Sequence, residues 1–175
     1  PLPPAPGKAL PPTQLRKVPP GTLREVVIKG QLNGPIEGLS ERFWQMVTAE
    51  VPQAKDRFDR KSPLSLVEYR DRYLSSPLNV LLLAKIIEGV ADRFGKPAVL
   101  IETVDAVKVS FQHPSILQHD WHYKEHRNRV IQGLLEKMPG ALEIRELPYK
   151  KTQHARELTL HWADGASWCI RLDHG

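Results

Sequence analysis

LSLVEYRDRYLSSPLNVLLLAKIIEGVADRFGKPAVLIETV, residues Leu64 to Val104, is the stretch that decides the fold class. Apolar and polar residues alternate over Leu64–Leu74, the period of a strand. Ser75-Ser76-Pro77 then supplies a capping hydroxyl followed by a proline, whose fixed φ suits the first turn of a helix. The helix is expected through Leu78–Phe94, closed by Gly95. Its apolar residues go round most of the cylinder, which predicts a helix buried between layers. Ala98–Val104 follows as a strand, apolar enough to sit in the middle of a sheet.

Working outward, Leu23–Lys29 is short and β-branched and predicts an earlier strand, and Asn33-Gly34-Pro35 breaks the chain after it. Leu39–Val51 predicts an amphipathic helix with Ser40 as N-cap, Phe43, Met46, Val47 and Val51 on its apolar face, and Pro52 as its stop. Beyond Val104, Val107–Phe111 reads as a short strand or an edge. Trp121–Lys137 predicts a charged amphipathic helix carrying Val130, Ile131, Leu134 and Leu135, ended by Pro139-Gly140. Leu142–Leu147 is a strand, and Arg156–Trp162 with Ser167–Leu172 makes a hairpin around Asp164-Gly165. The order β-α-β-α-β-α-β-β-β predicts an α/β fold: a mixed β-sheet with helices packed on its faces.

Eight of the first twenty residues are proline, so residues 1–21 are expected to form a semi-rigid polyproline spacer, and residues 22–175 the domain. The Pro1-Leu2-Pro3-Pro4 start suggests a piece of a larger protein. No apolar run approaches the length of a membrane span; the longest is Val80–Ala84. Cys169 is the only cysteine, which excludes an internal disulfide, fits a reducing, cytoplasmic compartment, and in its apolar run reads as a buried, inert thiol. The net charge of +5 is unevenly spread. Lys8, Arg16 and Lys17 lie in the spacer, leaving 22 basic and 20 acidic residues in the domain, so anion binding must rest on a local patch.

Two groups of residues could carry chemistry. His113, His119, His122 and His126 cluster in sequence, and the i, i+4 pair His122/His126 could share a metal on a helix. No Glu follows the first His as a zinc protease requires, and a solvated His-rich face is the plainer reading, so neither metal nor cofactor is expected. The second group is basic. From His122 to Arg156 there are eight Lys or Arg against four Glu, interleaved with Tyr123 and Tyr149 and preceded by Trp121. Arg156 can offer a bidentate fork, His154 a donor, Lys150 and Lys151 charge, and Arg72 or Arg70 more from a strand end. Asp71, Tyr73 and Glu157 are the supporting polar network, with Asp71 either pairing with Arg156 or meeting ligand. Singly, each charge reads as an ordinary solvated side chain; grouped at one sheet end they read as an anion site.

Tyr69-Arg70-Asp71-Arg72-Tyr73, His154-Ala155-Arg156-Glu157 and Trp168-Cys169-Ile170-Arg171-Leu172-Asp173 together resemble the phospholipase D-like domain at the C-terminus of MIT-domain proteins, over residues 23–175. Active phospholipase D-type enzymes use two HxKxxxxD motifs, in which His attacks phosphorus and Lys neutralises phosphate oxygens. Here His154 matches, Arg156 replaces Lys, His161 stands where Asp should, and no second HxK motif exists. The resemblance therefore implies a non-catalytic phosphate-recognising or docking module. We expect it to belong to a larger nucleic-acid-processing or defence protein and to bind nucleic-acid backbone, with an upstream domain, a protein partner or a second copy as further partners. Two alternatives stay open: binding of phosphoinositide headgroups at a membrane, which the resemblance implies, and a structural or oligomerising domain.

Overall fold

The described residues of this computed structural model, 32–60, 62–72, 74, 76–105, 121, 123–136, 140–152 and 156–172, hold four α-helices and five strands. Helices α1 (Leu39–Glu50) and α2 (Pro52–Asp59) precede strand β1 (Leu64–Asp71), helix α3 (Pro77–Phe94), β2 (Ala98–Val104), α4 (Lys124–Leu135) and β3 (Leu142–Leu147). The hairpin β4 (Glu157–Trp162) and β5 (Ser167–Arg171) completes the order. The strand expected at Leu23–Lys29, the segment Val107–Phe111 and the proline-rich residues 1–21 lie outside the described residues.

Local chemistry sets the helix ends. Ser76 is extended (φ −121°, ψ 152°), its Oγ accepts from Asn79 N at 3.3 Å, and Pro77 takes the first turn of α3, as the sequence predicts. Gly95 closes it at φ 81°, a value that favours glycine. Two expectations at α1 need correction. Ser40 is not the N-cap: a 3-10 turn, Ile36–Gly38, feeds the helix, Gly38 occupies the cap position, and Ser40 is inside. Pro52 does not only stop α1. Val51, forced out of the helical region before a proline (φ −123°, ψ 90°), makes a one-residue break, and Pro52 opens α2.

The sheet runs β3-β2-β1-β4-β5, with β1, β2 and β3 parallel and β4 and β5 antiparallel to their neighbours. The α/β class and the mixed sheet are as expected. The helices, however, occupy one face of it among the described residues, not both. Val67, Tyr69, Val99, Ile101, Leu158, Leu160 and Trp162 point into a core built with Phe43, Trp44, Val47, Phe58, Leu83, Ile87, Ile131 and Leu135 of the helices. Both parallel crossovers, β1-α3-β2 and β2-α4-β3, step in the same direction, so right-handed connections place both helices on the same side. Helix α3 is the middle of that layer, packed against α1 and α4, rather than sandwiched between layers.

The residues of opposite parity form the other face, where apolar side chains such as Leu66 and Leu100 accompany a row of charges. Register aligns Arg145, Glu102, Arg70, Glu157 and Arg171 in one row across all five strands, in alternating sign. Arg70 bonds Glu102 at 2.8 Å and Glu68 at 2.6 Å, Arg145 bonds Glu102 at 2.8 Å, and Arg171 bonds Glu157 at 3.1 Å. Cross-strand pairs of opposite charge reinforce the register. Burial raises the Glu68 carboxyl, but the hydrogen bond to His161 and the charge of Arg70 outweigh it and hold Glu68 below its usual range. Cys169 also corrects the sequence reading. It is exposed on this face of the edge strand, with its thiol pKa raised by partial burial of the sulfur.

Candidate functional site

Parallel strands deliver their carboxyl ends to one rim of the sheet, the customary place for ligands in open α/β folds. Here β1 ends at Asp71, β2 at Val104 and β3 at Leu147, while β4 starts beside them at Glu157. The chain leaving β3 makes a 3-10 turn, Tyr149–Lys151. Lys151 N donates to Pro148 O at 2.7 Å, Thr152 N to Tyr149 O at 3.3 Å, and Thr152 Oγ1 to Pro148 O at 3.2 Å.

Arg72, the residue after β1, locks this turn from the side. Its Nε donates to Thr152 O at 3.1 Å, its Nη2 donates to the same oxygen, and its guanidinium lies 4.4 Å from the Tyr149 ring centroid. The three side chains of the turn are left outward: Tyr149, Lys150 and Lys151 are all exposed. Among the described residues neither lysine pairs with a carboxylate.

Arg156, at the other end of the same connection, brings Nε to 3.5 Å from Asp71 Oδ2. Asp71 is 1% exposed and faces the helix layer; Tyr69 Oη donates to its Oδ2 at 3.0 Å, and its carbonyl accepts from Thr103 Oγ1 at 2.9 Å. The structure thus brings Arg72, Lys150, Lys151, Arg156 and Asp71 to one rim. It does not bring Arg70 or Glu157 to them: both belong to the charged row on the opposite face. Tyr73 and His154 lie outside the described residues.

The same rim holds a group with no local signal in the sequence. Arg127 of α4 is fully buried, where the helical pattern would place a hydrophobe. It donates to Val104 O at 2.9 Å and to Glu146 at 2.9 Å. Lys124 (2.8 Å) and Asn128 (2.9 Å) complete the shell around Glu146. Burial raises the Glu146 carboxyl, but these partners outweigh it and hold it below its usual range; burial lowers the Arg127 guanidinium. The inward stripe of α4 is Arg127, Ile131 and Leu135, whereas Val130 and Leu134, expected on the apolar face, are exposed.

Of the histidine group, His113, His119 and His122 lie outside the described residues, and His126 stands exposed on α4 with its ring 5.3 Å from Tyr123. Among the described residues no three His, Cys, Asp or Glu side chains gather as metal ligands, and no helix is long and apolar enough to cross a membrane.

His161, the residue in place of a phospholipase D-type Asp, points to the charged face, 3.1 Å from Glu68 and on the opposite side of the sheet from the Arg156–Asp71 contact. Comparison with known families overturns that resemblance altogether. Neither the curated proteins nor the solved structures yield a match to the chain. The family described as DEAD/DEAH box helicase YjiV, C-terminal domain, matches over residues 22–175, so the pieces that resembled a phospholipase D-like domain are parts of a different family's pattern. The chain belongs to the family of the C-terminal domain of DEAD/DEAH box helicase YjiV.

Proposed function

We propose that this domain is a non-catalytic nucleic-acid-binding module of a helicase-type protein in the cytoplasm, tethered by the proline-rich residues 1–21 and gripping phosphate backbone at the carboxyl rim of its sheet. The observation that carries the reading is the exposed Lys150-Lys151 pair, held on a turn that Arg72 braces, in a chain of a helicase family. The partners of the two arginines favour a structural part for them: Arg72 holds the turn and Arg156 faces buried Asp71. Phosphate contact therefore falls to the lysines, with His154 as a further donor. Lysine suits this task, because it meets phosphate as a compact charge on a flexible stem and reads no sequence.

Each phosphate neutralised releases condensed counterions, so affinity must fall with salt. With about three phosphate contacts, log K for a single strand should fall against log salt with a slope of roughly −2. Lys150→Glu/Lys151→Glu should weaken binding about tenfold or more, as loss of charged hydrogen bonds predicts, and should flatten that slope. The melting temperature should stay unchanged, since both side chains are solvated. Fluorescence anisotropy of a labelled oligonucleotide between low and physiological salt makes the measurement. An unaltered affinity and slope in the double variant would remove the rim from consideration.

A further inference from the structure

We infer that the ligand of this rim is a single strand rather than a duplex, and that Tyr149 is the platform on which one of its bases stacks; this rests on the phosphate-binding reading of the lysines beside it. Tyr149 is 53% exposed. The Arg72 guanidinium lies over the ring at 4.4 Å, and a base would stack on the surface that the residue leaves exposed. A guanidinium–ring–base stack is electrostatically favourable, because the cation meets the negative face of the ring and the base adds π surface.

The platform is also prepared in advance. Arg72 is fixed by two donors on Thr152 O, and the turn is closed by its own hydrogen bonds, including Lys151 N to Pro148 O at 2.7 Å. Little order remains to be imposed when a base arrives, so little of the stacking energy is lost to it. Lys150 and Lys151 follow directly in the chain, within reach of the phosphates on either side of a stacked nucleotide. A duplex offers those phosphates too, but its bases are already stacked and paired, so it cannot use the ring. The lysines alone would bind both forms; the tyrosine selects the single strand.

The test uses the full chain and two probes, a fluorescein-labelled oligonucleotide and the duplex of the same sequence, at one fixed salt concentration. Wild type should bind the single strand about tenfold or more tightly, the range expected for one base–aromatic stack. Tyr149→Ala and Tyr149→Leu should each lose that advantage and leave duplex affinity unchanged; the leucine keeps apolar bulk against Arg72 and guards against a collapsed turn. Tyr149→Phe should retain the advantage. Equal affinity of wild type for the two probes, or an equal loss on both in Tyr149→Leu, overturns the inference. If Lys150→Glu/Lys151→Glu still weakens both probes in that case, the phosphate reading survives it. Absence of binding to either probe brings both down.

Discussion

Arg127→Ala is expected to lower the stability of the domain by about 3 kcal/mol, the low end of what removing one partner of a buried ion pair costs. The substitution deletes the donor to Val104 O, leaves Glu146 short of its innermost partner, and empties a fully buried position under α4. The low end applies because Glu146 keeps Lys124 and Asn128 and is partly solvated. In a domain of this size the melting temperature should fall by roughly 6–12 °C. Arg127→Met keeps much of the volume but still orphans the carbonyl, so it should fall between wild type and alanine. Urea denaturation of the three proteins checks the ranking; an alanine variant within about 0.5 kcal/mol of wild type, the range of ordinary surface changes, would mean that the buried guanidinium contributes little. Because Val104 and Glu146 belong to the same rim as the lysine turn, the variant also tests how far that rim depends on α4.

Gly89→Ala should cost about 2 kcal/mol. Helix α1 crosses α3 so closely here that an added methyl would overlap Ser40 Oγ and lie 2.8 Å from Trp44 Cδ1. The serine hydroxyl can rotate away, but Trp44 is buried and pinned by its Nε1 to Ile86 O at 3.0 Å. The helix must therefore move. Overpacking of this kind costs about 1–3 kcal/mol or more, and alanine's better helical propensity offsets up to about 1 kcal/mol of it. Ser40→Ala combined with Gly89→Ala should recover part of the loss, since one of the two contacts disappears. A Gly89→Ala variant as stable as wild type would contradict the close crossing.

Ser76-Pro77 was legible because both signals act locally: a hydroxyl that reaches the third backbone N–H and a ring that presets φ. The central place of Ala98–Val104 was legible for a related reason, its continuous apolar character. What escaped depends on partners distant in sequence. Arg127 sits where a hydrophobe was expected because the ends of β2 and β3 offer it a carbonyl and a carboxylate. The charged row across the sheet emerges only when register aligns Arg145, Glu102, Arg70, Glu157 and Arg171. By charge alone Arg70 belongs with the phosphate site, but strand alternation puts it on the opposite face from Asp71. Ser40 has the side chain of a cap, and only the preceding 3-10 turn, Ile36–Gly38, puts it inside the helix. The rim is legible in part, since charge alone singles out Arg72, Lys150, Lys151 and Arg156. The division between them, Arg72 holding the turn, Arg156 facing buried Asp71 and the lysines left outward, emerges only from the hydrogen bonds to Thr152 and the ion pair to Asp71.

The most direct test of strand binding at this rim follows backbone ¹H–¹⁵N shifts of the labelled chain while a single-stranded oligonucleotide is titrated. The largest changes are expected at Tyr149, Lys150, Lys151 and Thr152, smaller ones at Arg72 and Arg156, and little change on α4 around His126 or in the charged row of the sheet. Changes centred on Glu68, Glu102 and Arg145, with the Tyr149–Thr152 turn unmoved, would contradict strand binding at the rim.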